Sequence, residues 1–212
     1  MTKVKFFEFS PFSENTYVLY DDSKECIIID PGCYDSREQK TLTGFIEDEG
    51  LRPVRLINTH CHIDHVFGNK YIAELYGLTL EVHRNELPVL AWLPQSAMMF
   101  GVKADPSPQP GHFIEEGDLV TFGNTTLETL LTPGHSPGSL TFYCRESGFI
   151  ISGDVLFFGS IGRTDLPGGD YDTLIRSIQE KLLPLEDDVK VFSGHGQMTT
   201  IGFERRYNPF LS

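Results

Sequence analysis

The sequence predicts an α+β protein in which each half of the chain runs from strands to a helix. Three observations predict it. Short apolar runs of strand length open the chain and recur after residue 117. Apolar residues at three- and four-residue spacing mark helices over 36–50, 66–76 and 172–183. Loops bearing histidine or aspartate follow strands in both halves. With 212 residues the expectation is one domain over 1–212.

Taken in order, residues 3–9 and 16–20 read as strands, and Asp21-Asp22-Ser23 as a turn. The unbroken apolar run at 26–29 predicts a buried strand that ends at Asp30-Pro31-Gly32. The helix over 36–50 buries Leu42, Phe45 and Ile46 and stops at Gly50. A strand at 54–58 follows, then a helix with Ile72, Leu75 and Tyr76 on one face and Gly77 as its stop, then a strand at 78–83. Residues 84–111 carry Pro88, Pro94, Pro106, Pro108 and Pro110 beside Trp92, Met98, Met99 and Phe100. They predict a short helix over 85–92 followed by a loop, which is either a pocket wall or a segment packed on the core. Strands are expected at 118–122, 126–131, 140–144 and 148–151. The helix over 172–183 buries Leu174, Ile175, Ile178, Leu182 and Leu183, and 190–193 is read as the last strand.

The densest chemistry is Thr59-His60-Cys61-His62-Ile63-Asp64-His65, on a strand-to-helix turn. Imidazole nitrogen with carboxylate oxygen suits zinc, iron or manganese better than calcium or magnesium. His60, His62 and Asp64 are two residues apart and are expected to share one side of an extended turn. Neighbours of opposite orientation can serve two ions, so a pair of metals is expected. A polar turn with an N-capping aspartate is the plain alternative. Cys61 lies between two candidate ligands, and alternation turns it away as a packed residue. Three further loops repeat the theme. His135 lies in Thr132-Pro133-Gly134-His135-Ser136-Pro137-Gly138, Asp154 follows Ser152-Gly153, and His195 lies in Ser193-Gly194-His195-Gly196. Glycine in each lets the backbone turn sharply and aim one side chain into a shared space.

Composition narrows the classes of partner. A net charge of −13 argues against nucleic acid or an anionic membrane surface, since phosphate contacts need a basic face. Cys26, Cys33, Cys61 and Cys144 are widely spaced, with no disulfide framework and no cysteine-rich metal site. The first residues hold no signal-peptide pattern and no run approaches a membrane span, so a cytoplasmic enzyme is expected.

His60-x-His62-x-Asp64-His65 followed by His135, Asp154 and His195 resembles the signature of the metallo-β-lactamase superfamily. The loop at 132–139, Gly162-Arg163-Thr164-Asp165, Gly168-Gly169-Asp170 and the run from Met198 to Glu204 resemble its short bacterial glyoxalase II (hydroxyacylglutathione hydrolase) branch. The resemblance implies a four-layer αββα sandwich with metals at one edge. It implies two divalent ions, zinc first with iron or manganese as options. His60, His62 and His135 would hold one, Asp64, His65 and His195 the other, and Asp154 would bridge them. Asp64 and Asp154 are then the catalytic carboxylates, steadying a metal-bridging hydroxide that attacks the carbonyl of a small-molecule thioester. Metal binding lowers the pKa of water toward about 7, which supplies that nucleophile at neutral pH. Arg163 stands where the branch carries a basic residue toward the glycine carboxylate of glutathione, and a surface salt bridge is the even alternative. Asp165 stands where the classical glyoxalase II has a tyrosine, and the chain ends at Ser212 where that classical enzyme carries a C-terminal helical extension. Tyr171 is a second candidate for the substrate pocket. A persulfide dioxygenase with one iron, a lactonase or β-lactamase, and a non-catalytic metal-binding module are the rival expectations, and the protein is expected as a monomer or homodimer.

Overall fold

The computed structural model describes residues 1–211. Its frame is two six-stranded sheets. The first runs in the order β1 (Lys3–Phe9), β2 (Glu14–Tyr20), β3 (Glu25–Ile29), β4 (Arg52–Ile57), β5 (Leu80–Val82) and β6 (His112–Phe113). The second contains β7 (Leu119–Phe122), β8 (Thr125–Leu131), β9 (Leu140–Cys144), β10 (Phe149–Gly153), β13 (Lys190–Ser193) and β14 (Thr199–Thr200). A small hairpin pairs β11 (Leu156–Phe157) with β12 (Ser160–Ile161). The helices are α1 (Ser36–Asp48), α2 (Asn69–Tyr76), α3 (Leu87–Ala91), α4 (Leu93–Phe100), α5 (Tyr171–Ser177) and α6 (Ile201–Tyr207).

Side-chain alternation builds the layers. Tyr17, Leu19, Ile27 and Ile29 of the first sheet meet Leu127, Phe142, Phe149 and Ile151 of the second in one core. Their neighbours Val18, Cys26 and Ile28 point the other way, onto Leu42 and Ile46 of α1 and Ile72 of α2. On the far side Tyr143, Ile150 and Val191 pack on Leu174 of α5, Ile178 and Ile201 of α6. Helix, sheet, sheet and helix are thus stacked in the expected αββα order. The central strands β3, β9 and β10 are buried on both faces because both faces are covered.

Parallel pairs collect the loops at one edge. β3, β4, β5 and β6 are successively parallel, as are β10 and β13. A parallel pair needs a crossover, so all their carboxyl ends open on the same side. Asp30, the His60–His65 stretch, Asp154 and His195 all follow such ends.

Several elements differ from the sequence expectation. α4 replaces the loop expected after residue 92. Pro94 occupies its first turn, where a missing N–H costs nothing, rather than breaking it. The helix expected from Val66 begins at Asn69, after a 3-10 turn over Ile63–His65. β13 is not the last strand, since β14 and α6 follow it. α5 ends at Ser177 and continues as a π-helical turn over Ile178–Leu182.

Candidate metal centre

The stretch after β4 is pinned before its histidines are reached. Asn58 donates to the His65 carbonyl at 2.9 Å and receives Asn69 Nδ2 at 2.7 Å. The 3-10 turn then carries Asp64 and His65 toward His195, with the His65 ring 4.1 Å from that of His60 between centroids. The three residues expected on one side are therefore divided. His60 and His62 join His135, while Asp64 and His65 join His195.

Each group converges on a few ångströms. His135 Nε2 lies 2.8 Å from His62 Nδ1 and 3.2 Å from His60 Nε2. His195 Nε2 lies 3.1 Å from Asp64 Oδ2, and His65 Nε2 lies 3.9 Å from the same oxygen. Asp154 stands between the groups. Its Oδ2 is 3.5 Å from His135 Nε2 and 3.4 Å from His195 Nε2, and its Oδ1 is 3.4 Å from His65 Nε2.

The opposite ring nitrogens are fixed by partners that accept protons. His135 Nδ1 donates to the Arg163 carbonyl at 2.7 Å, and His195 Nδ1 to the Phe12 and Ser13 carbonyls at 3.1 Å. His65 Nδ1 donates to Asp30 Oδ2 at 3.0 Å. The Thr59 hydroxyl donates to the same Asp30 oxygen at 2.6 Å, and so accepts from His60 Nδ1 at 3.1 Å. These bonds leave the Nε2 atoms of His60, His65, His135 and His195 turned inward. Lone pairs of His60 and His135 facing at 3.2 Å repel unless a cation lies near. His65 Nε2 and Asp154 Oδ1 are buried without a hydrogen-bond partner. Donors left open in this way fit metal ions, and the His/Asp chemistry suits two.

Charge divides the site in the same way. Burial drives the His60 and His135 imidazoles below their usual range and His62 to about 3, so this group is neutral at pH 7. Burial also opposes charge on His65 and His195, but the carboxylates of Asp154 and Asp64 outweigh it. His65 is raised well above its usual value and His195 to about 10. Asp154 is largely buried, which resists its ionisation, yet His65 and His195 hold it well below the usual carboxylate range.

Two buried carboxylates that sequence reasoning missed brace the loops. Asp30 accepts from Thr59 N–H at 2.7 Å and from the side chains of Asn58, Thr59 and His65. Glu86, at the start of α3, accepts from Cys61 N–H at 2.8 Å, Ser136 Oγ at 2.6 Å and Gly138 N–H at 2.7 Å. It thereby ties the His60–His62 loop to the His135 loop. Asp30 had a legible signal, since it follows an apolar strand and precedes Pro31-Gly32, as Asp154 and His195 follow theirs. Glu86 had none. Cys61 is fully buried in the helix-side core, and burial holds its thiol well above the usual range, as suits a packed residue. Gly194 is demanded by close approach, because a Cβ there would collide with Asp154 Oδ1.

Above the donors lies a cavity of about 720 Å³. Its floor includes His62, Asp64, His135, Asp154 and His195, and its walls include Phe12, Trp92, Phe100 and Phe157. The 84–111 segment therefore contributes a wall through α3 and α4, while Met98 and Met99 face solvent. Arg163 lines the rim, its guanidinium paired with Asp165 at 2.6 and 2.7 Å. Tyr171, about half exposed on the first turn of α5, is not among the lining residues.

Comparison with known proteins agrees with this architecture. Residues 10–195 match the Metallo-beta-lactamase superfamily, and the chain belongs to that family. It is 41% identical over 204 residues to the probable metallo-hydrolase YqgX of Bacillus subtilis, covering 95% of this chain and 94% of the relative. It is 40% identical over 203 residues to the hydroxyacylglutathione hydrolase GloC of Haemophilus influenzae, covering 95% and 94%. The mitochondrial persulfide dioxygenase ETHE1 of Bos taurus is 32% identical over 203 residues, covering 93% and 71%. Among solved structures, TTHA1623 in a di-iron-bound form superposes with a TM-score of 0.89 at 36% identity, covering 98% of this chain and 100% of that one. The protein is thus a metallo-hydrolase-type member of the superfamily, with the glyoxalase II-like branch among its relatives. No helix among the described residues is long and apolar enough to cross a membrane.

Proposed function

We propose that this protein is a metal-dependent thioester hydrolase of the hydroxyacylglutathione type. It would use two divalent ions, zinc first, with iron or manganese accepted by the same donors. One observation carries the reading: two complete donor groups share Asp154 beneath an apolar cavity. His60, His62 and His135 would hold one ion, Asp64, His65 and His195 the second, with Asp154 between them. Bound there, the ions supply a nucleophilic water at neutral pH and polarise a carbonyl.

The chain's own residues do the rest. Asp64, on the cavity floor, offers a carboxylate that accepts a proton-bearing partner and orients it toward the substrate. The bonds from Asp30, Thr59 and the Arg163 carbonyl hold the imidazoles in one tautomer. Trp92, Phe100 and Phe157 exclude water around the scissile group and receive its apolar parts. A thiolate leaves without help from a strong acid, which suits a floor whose titrating groups all face the donor centre. The similarity to GloC supports this reading, and that to ETHE1 supports a one-iron persulfide dioxygenase as the second.

The test measures metal content and turnover on one preparation, with S-lactoylglutathione and glutathione persulfide side by side. Near two equivalents of metal with thioester hydrolysis is expected. One equivalent of iron with oxygen consumption on the persulfide would sink the proposal in favour of the dioxygenase.

A further inference from the structure

Arg163 is the one lysine or arginine among the described residues lining the cavity. Its backbone is fixed relative to the donor centre, because its carbonyl receives His135 Nδ1 at 2.7 Å. Its side chain is free to act at the rim, being 54% exposed. Both of its paired nitrogens are nevertheless occupied. Nε and one terminal nitrogen meet the two oxygens of Asp165 in a bidentate fork at 2.6 and 2.7 Å. This is the geometry that a substrate carboxylate would need. Asp165 is itself 68% exposed, does not line the cavity, and bonds no other side chain among the described residues.

We propose that Asp165 is a specificity-determining residue that occupies Arg163 in place of a substrate carboxylate. An acidic thioester must displace it, and an uncharged one need not. This rests on the thioester reading above. A pair this exposed is weak, so the exchange is easy and its effect on binding modest. The Arg163 guanidinium holds the Asp165 carboxyl down to about 2, so the competitor stays ionised throughout the working pH range. The consequence is selectivity. The protein's preference between acidic and neutral thioesters is set by the residue two places beyond the arginine. The reacting groups themselves play no part in it.

The experiment compares S-lactoylglutathione with its glycyl monoethyl ester in the metal-loaded enzyme. Asp165→Asn should lower KM for the acid roughly threefold to fivefold, leave kcat unchanged, and leave both constants unchanged for the ester. Arg163→Gln should raise KM for the acid, and adding Asp165→Asn to it should change nothing more. Equal effects on acid and ester, or no effect on either, would overturn the proposal. Thermal melting of each variant separates loss of fold from loss of recognition. If the unaltered enzyme turns over neither compound, the thioester reading itself fails and this inference falls with it. Turnover of both with an unmoved KM ratio rejects the inference alone.

Discussion

Asp30 Oδ2 and His65 Nδ1 lie 3.0 Å apart, and both residues are shut off from solvent. The same oxygen receives the Thr59 hydroxyl, through which it reaches His60. One carboxylate outside the donor set therefore orients an imidazole in each group. Asp30→Asn keeps the shape but sets an amide or a carbonyl where two donors expect an anion. Metal affinity should fall about 10- to 100-fold. Stability should fall by about 1–3 kcal/mol. Chelator competition and urea unfolding read the two effects.

Asp154→Ala removes the group that stands between the two clusters. It should lose bound metal and activity together, since His65 and His195 would lose the carboxylate that holds them in place. Elemental analysis of the variant beside its turnover decides this. Full activity with a single equivalent of metal would falsify a two-ion mechanism.

The electrostatic division predicts proton release. In the metal-free protein His195 titrates at about 10 and His65 is also raised, so both carry a proton at pH 7. A cation must expel both protons from the Asp64/His65/His195 group. The His60/His62/His135 group is neutral at that pH and releases none. Protons compete with the cation below a raised pKa. Affinity at the second group should therefore climb as pH rises toward 10, and that group should empty first on acidification. Calorimetry in two buffers of different ionisation enthalpy should count about two protons per molecule loaded.

Glu86→Ala strands the buried Cys61 and Gly138 N–H groups. Each stranded donor should cost about 1–3 kcal/mol. The His60–His62 loop would also lose its tie to the His135 loop, so the first group should lose metal while the second keeps it. Glu86→Gln restores shape and part of the accepting capacity, and should recover part of both. The urea midpoint and metal stoichiometry of the two variants check this.

The donor residues and most strands were legible in the sequence because their signals are local. An apolar run, then glycine, then histidine or aspartate is written in consecutive residues, and it marks His135, Asp154 and His195 without knowledge of any neighbour. α4 was misread because Pro94 breaks a helix interior but suits a first turn, and which of these it occupies depends on where the helix starts. Tyr171 was a candidate for the pocket, yet its place on the first turn of α5 leaves it outside the cavity lining.

What the tertiary structure alone decided is partnership. His62 meets His135 across 73 positions, and Glu86 reaches Ser136 across 50. Neither distance follows from residue type. Both follow from parallel strand order and register, which bring the carboxyl ends of separate strands to one edge. The sequence by itself determined which atoms were available to hold a metal. The packing of two sheets decided which of them face one another, because convergence depends on non-local pairing that no short window contains.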